Sequence, residues 1–132
     1  MQAQGGGVYI FIHKNTGHKY VGSSNLLRRR MDYYFKGDFP LSGKFLPLLH
    51  KEGLRAFKLI IFKLDSTIFS YKDSLILEQY YLLNKEFNLN TLRELGLTIK
   101  RATLTKYIKN EKVFHNFLCK YSDNILPVIF QK

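Results

Sequence analysis

"GVYIFIHKNTGHKYVG", residues 7 to 22, sets Gly7-Val8-Tyr9 and Tyr20-Val21-Gly22 on either side of a polar turn. Val8, Ile10 and Ile12 alternate with Tyr9, Phe11 and His13, the two-residue period of a strand. Lys14-Asn15-Thr16-Gly17 carries turn chemistry, with Gly17 free to take positive φ, and His18 to Val21 returns as a second strand. In such a hairpin Tyr9 and Tyr20 lie near each other across the ladder, within about one residue of register. Two facing phenols can be packing, or half of an active site.

Downstream, Ser23 and Ser24 offer N-caps to a helix over 25–36 that Gly37 closes. Leu27, Met31 and Phe35 recur every four residues and predict its core face, while Arg30 and Tyr34 form a neighbouring row. Residues 38–43 read as loop. A short helix over 43–52 follows, bent or started by Pro47 and ended by Gly53. "FKLIIFKL", 57–64, reads as a largely buried strand, and 71–85 as a helix. Leu75, Glu78, Gln79 and Leu82 share one line of that helix. An unpaired carboxylate there would cost several kcal/mol, so Glu78 calls for a salt bridge or a metal. Beyond Asn90, residues 92–110 predict a short helix, a turn near Gly96 and a basic helix from about Thr103. The closing "VFHNFLCKYSDNILPVIFQK" has no clean period.

The chain of 132 residues is one domain, or one with a small appendage. An apolar fraction of 45%, with 11 Phe and 9 Tyr, excludes a disordered chain. Twenty-one Lys plus Arg against ten Asp plus Glu leave +11, concentrated at Arg28-Arg29-Arg30 and from Lys100 to Lys112. That balance fits a polyanionic partner, because binding releases counterions condensed on nucleic acid. The one cysteine, Cys119, excludes an intrachain disulfide and fits a reducing compartment. No apolar run reaches the roughly 18 residues of a membrane span. Residues 1–6 look like a linker and lack the features of a secretory signal. His13, His18, His50 and His115 lack metal-ligand spacing and read as turn, surface or phosphate contacts.

Together these residues resemble the GIY-YIG nuclease family over roughly residues 7–90. Gly7-Val8-Tyr9 is similar to the first triplet and Tyr20-Val21-Gly22 to the second; Arg30, ten positions after Tyr20, matches the family's arginine. Tyr34 matches a position held by His or Tyr, Glu78 in "LEQYY" the metal-binding glutamate, and Asn90 in "FNLN" the closing asparagine. The wording "YVGSS" and "EQYYLL" is similar to homing endonucleases of phage and fungal mitochondrial introns. The resemblance implies an α+β fold: a small antiparallel three-stranded sheet flanked by helices at 7–90. Residues 91–132 then form a mainly helical extension that resembles a helix-turn-helix module.

It also implies roles. Glu78 holds a single Mg²⁺ or another divalent cation, and Arg30, with Arg29 the next candidate, contacts the scissile phosphate. Tyr9 takes a proton from the attacking water, Tyr20 and Tyr34 orient water or phosphate, and Asn90 braces the site. Lys19, Arg28, Arg29, Lys100, Arg101, Lys106, Lys109 and Lys112 are the candidate nucleic-acid contacts. An unperturbed phenol is roughly 1% ionised at pH 8, and ionising it there costs on the order of 2.7 kcal/mol. Positive charge from Arg30, the cation or Lys19 would lower that cost. Two functions stay open. One is a metal-dependent endonuclease cutting duplex DNA. The other is a catalytically silent subunit that binds structured RNA or DNA in a mitochondrial ribonucleoprotein such as the ribosome. A helix-turn-helix regulator leaves the triplets and Glu78 unexplained. Abundant Phe, Tyr, Lys, Ile and Asn fit an A/T-rich coding genome, hence a mitochondrial location.

Overall fold

The computed structural model of the protein describes residues 6–64, 67, 69–82, 85–90 and 127–130. Strands β1 (Gly6–His13) and β2 (Lys19–Ser24) form the hairpin, followed by helices α1 (Leu27–Lys36) and α2 (Phe45–Glu52). A single 3₁₀ turn leads into strand β3 (Phe57–Leu64), and helix α3 (Tyr71–Leu82) comes after it. The expected three-stranded antiparallel sheet is present as β2-β1-β3, with β1 in the middle. A fourth strand, β4 (Pro127–Phe130), pairs antiparallel with the outer edge of β3. It falls in the stretch without a clean period. The expected helices beyond Asn90, with the nucleic-acid candidates Lys100, Arg101, Lys106, Lys109 and Lys112, lie outside the described residues.

The alternation in β1 is what makes it central. Val8 and Ile10 pack with Val21, Leu64, Ile76 and Leu77 on the α3 side. Tyr9 and Phe11 pack with Met31, Tyr34, Phe45 and Phe57 on the α1 and α2 side. A strand covered on both faces needs apolar groups at nearly every position, and β1 has them. Both edges of the three-stranded core are also covered. At β2, the Lys19 N–H donates to the Glu86 carbonyl (3.0 Å), and the Leu89 N–H to the Lys19 carbonyl (3.1 Å).

Three expectations change. The hairpin register sets Tyr9 opposite Gly22 and Tyr20 opposite Phe11, so the two tyrosines are two residues out of step rather than one. An even offset keeps them on one face, and their ring centroids are 6.5 Å apart. Helix α1 starts at Leu27 because β2 stays in the ladder through Ser24, which pairs with Gly7. Neither serine caps the helix: Ser24 Oγ accepts from the Leu26 N–H, and Ser23 turns elsewhere. The core stripe of α1 runs through Leu27, Met31 and Tyr34, while Phe35 is 49% exposed. A strict four-residue step advances about 40° per repeat around a helix of 3.6 residues per turn, which carries Phe35 off the packed face.

Candidate active site

Each triplet glycine marks a close approach. A Cβ on Gly22 would stand 2.3 Å from Tyr9 Oη, so the bare backbone of β2 is what lets the Tyr9 ring lie across it. A Cβ on Gly7 would stand 2.2 Å from the Phe62 carbonyl oxygen and 2.8 Å from Leu27 Cδ1, so this glycine lets β3 and α1 close on β1. The doubled Gly/Tyr pairing thus has a steric basis: one glycine seats the tyrosine, and the other seats the strand that carries it.

Around Tyr9 the phenols cluster. Its Oη lies 2.8 Å from Tyr34 Oη, delivered from α1. Tyr20 also hydrogen-bonds Tyr34, and its ring stacks on Phe45 of α2 at 4.2 Å and 9°. Arg30 is exposed, with its guanidinium 5.6 Å above the Tyr33 ring. Its charge reaches Tyr9, Tyr20, Tyr34 and Glu78. Glu78, from α3, is buried and accepts a hydrogen bond from Ser23 Oγ. Tyr9, Tyr20, Arg30, Tyr34 and Glu78 therefore converge from β1, β2, α1 and α3.

Burial dominates the ionisation of this cluster. It raises Tyr9 well above the ordinary phenol value, with neighbouring Tyr34 and Tyr20 adding to the rise and Arg30 opposing it. Tyr20 is raised for the same first reason. Tyr34 is raised too, burial again outweighing its hydrogen bonds with Tyr9 and Tyr20 and the charge of Arg30. The positive charge expected to ease ionisation comes from Arg30 only in part. Lys19 is spoken for, paired to Glu86 at 2.6 Å. Glu78 is pushed up to about 7 by burial, against the Ser23 hydrogen bond and Arg30.

Asn90 stands apart from the phenols. Its side chain clamps the β2 backbone, accepting from the Val21 N–H (2.9 Å) and donating to the Val21 carbonyl (2.9 Å). Arg28 and Arg29 are exposed on the first turn of α1. His13 is buried at the hairpin end, with Nδ1 2.7 Å from Thr16 Oγ1 and Nε2 3.0 Å from Glu52 Oε1; it pins the turn to α2. Two contributors escaped the sequence reading, Ser23 and Phe45. In the sequence Ser23 reads as a helix cap, and Phe45 is a phenylalanine in an apolar helix with no mark of its stack. The Arg30–Tyr33 pair was legible as an i, i+3 spacing.

No cluster of three or more His, Cys, Asp or Glu occurs among the described residues. The donor set for a divalent ion is therefore one buried carboxylate, Glu78, with no cation in ion-pair contact among the described residues. That fits a hard cation which keeps most of its waters and takes few protein ligands.

A family model, the GIY-YIG catalytic domain, matches residues 5–91. The chain belongs to the GIY-YIG family, whose nucleases act on nucleic acid and generally depend on a divalent metal. No curated protein and no solved structure matches the chain. No helix of the described residues is long and apolar enough to cross a membrane.

Proposed function

We propose that the protein is a divalent-metal-dependent endonuclease that hydrolyses phosphodiester bonds of duplex DNA, of the homing-endonuclease type. The observation that carries this is the convergence of three phenols, one exposed guanidinium and one buried carboxylate from four separate elements. Packing alone has no use for the carboxylate, whose burial next to apolar side chains is destabilising without a counter-charge.

In this reading Arg30 binds the scissile phosphate, its planar fork spanning two oxygens. Tyr9, as its phenolate, takes the proton of the attacking water and becomes a neutral phenol, while Tyr34 Oη, 2.8 Å away, donates a hydrogen bond to that phenolate. Tyr20, fixed by its stack on Phe45, orients the water or the phosphate. Glu78 holds the cation, Mg²⁺ by preference, which when bound supplies positive charge and coordinated water. Asn90 acts indirectly, by holding β2 in place. Arg28 and Arg29 add non-specific phosphate contacts beside the site. The composition supports a mitochondrial location.

The test is Mg²⁺-dependent nicking of labelled duplex DNA, with Glu78→Ala and Arg30→Ala as controls. Nicking by the wild type, lost in both variants with binding retained, supports the enzyme. No nicking of any substrate, beside tight and salt-sensitive RNA binding, replaces it with a silent ribonucleoprotein subunit.

A further inference from the structure

The phenols and the carboxylate come to the site from opposite sides of the sheet. Gly22 lies opposite Tyr9 in the register, so this residue shares the tyrosine's face. Ser23, one residue on, lies opposite Val8, which packs toward α3. Successive residues of a strand point to opposite faces. Ser23 is thus the residue of β2 that looks toward α3 while its neighbour supports the phenols. Its Oγ donates to Glu78 Oε1 across 55 residues of sequence. Oε2 of Glu78 has no hydrogen-bond partner among the described residues.

A glutamate side chain has three rotatable bonds, and its carboxylate orientation is fixed only by what it meets. The Ser23 hydroxyl fixes it. We propose that Ser23 is a positioning residue for cation binding: it holds Oε1 of Glu78 at β2 and leaves Oε2 to meet the ion. This rests on the reading of Glu78 as the cation ligand. Hydrogen-bond partners of metal ligands typically contribute 10- to 100-fold in metal affinity, and a hydroxyl donor to a carboxylate does so by pre-orienting it.

The experiment uses the full chain with Mn²⁺ alone, following free Mn²⁺ by electron paramagnetic resonance without nucleic acid. Half-saturation should rise about tenfold in Ser23→Ala. Ser23→Thr, which keeps the hydroxyl, should stay within about twofold of wild type by the same reasoning. Glu78→Gln should lose the saturable site. A companion titration of Mn²⁺ in the nicking assay should show Ser23→Ala shifted along the metal axis, with a near-normal rate once metal is saturating.

The assignment is overturned if Ser23→Ala binds Mn²⁺ like wild type, if Ser23→Thr is as weak as Ser23→Ala, or if wild type has no Glu78-dependent Mn²⁺ site. A wild type whose Mn²⁺ binding depends on Ser23 but which cuts no nucleic acid overturns the nuclease reading and upholds this one.

Discussion

At Gly22 a single hydrogen stands where a methyl group would collide with Tyr9 Oη at 2.3 Å. Gly22→Ala must push the Tyr9 ring off Tyr34, and a misplacement near 1 Å at a reacting centre costs about 10²-fold. Nicking should fall by that order while the unfolding free energy drops about 1 to 3 kcal/mol, as for other overpacked cores. A variant with the stability loss but wild-type nicking would remove Tyr9 from the chemistry. The phenols bear on pH as well. Because burial raises all three, no fraction large enough to saturate forms near neutrality. The nicking rate, measured under single-turnover conditions, should climb from pH 7 to 9 without levelling; a plateau by pH 8 would assign the proton to another group. Glu78 sets a stability trend of opposite sense. Its folded form holds a proton more tightly than the unfolded chain does, at about 7 against 4.5. The native state then binds more protons, so stability of the metal-free protein falls as pH rises from about 4.5 through about 7. Glu78→Gln should abolish nicking yet stabilise the fold at pH 8 by on the order of 1 to 3 kcal/mol, with little gain at pH 4. Urea unfolding at the two pH values reads this directly, and an equal gain at both would refute the assignment.

Strand β2 is held from outside the sheet. One Asn90 side chain satisfies both the N–H and the carbonyl of Val21. Asn90→Ala leaves those groups to find water, a loss of about 1 to 3 kcal/mol where the site is buried. The Val21 amide should then lose hydrogen-exchange protection before amides of β1 do; unchanged protection would show that the clamp is dispensable. Helix α1 was legible in type and in its Gly37 end, where Gly37 takes φ 74°. Its start was not, because the ladder kept Ser24. Strand β3 was legible residue for residue as an apolar block, 57–64. Strand β4 was not, since four residues pairing across more than sixty positions leave no local period to read.

For the whole molecule, the charge of +11 sets the partner class and its salt response. If about 6 to 10 phosphates are neutralised, affinity for duplex DNA should fall roughly 10³- to 10⁵-fold between 50 and 200 mM salt. Binding measured by anisotropy over that range checks it, and a flat response would point away from a polyanion groove. Arg28→Ala should flatten the slope by about one counterion, whereas Lys19→Ala should change it little because Lys19 is already paired with Glu86.

By itself the sequence determined what depends on neighbours along the chain. The alternation of β1, the turn at Gly17, the helical runs and the basic excess each express preferences that a few adjacent residues settle. It also marked Glu78 as out of place on an apolar line. Only the tertiary structure decided who meets whom: Tyr34 with Tyr9 across 25 residues, Ser23 with Glu78 across 55, Asn90 with Val21 across 69. The reason is physical. Local periodicity says which face of an element is apolar, but the side chain that lands opposite depends on register and helix placement. Those follow from filling both faces of the sheet at once, with glycines where two groups must nearly touch.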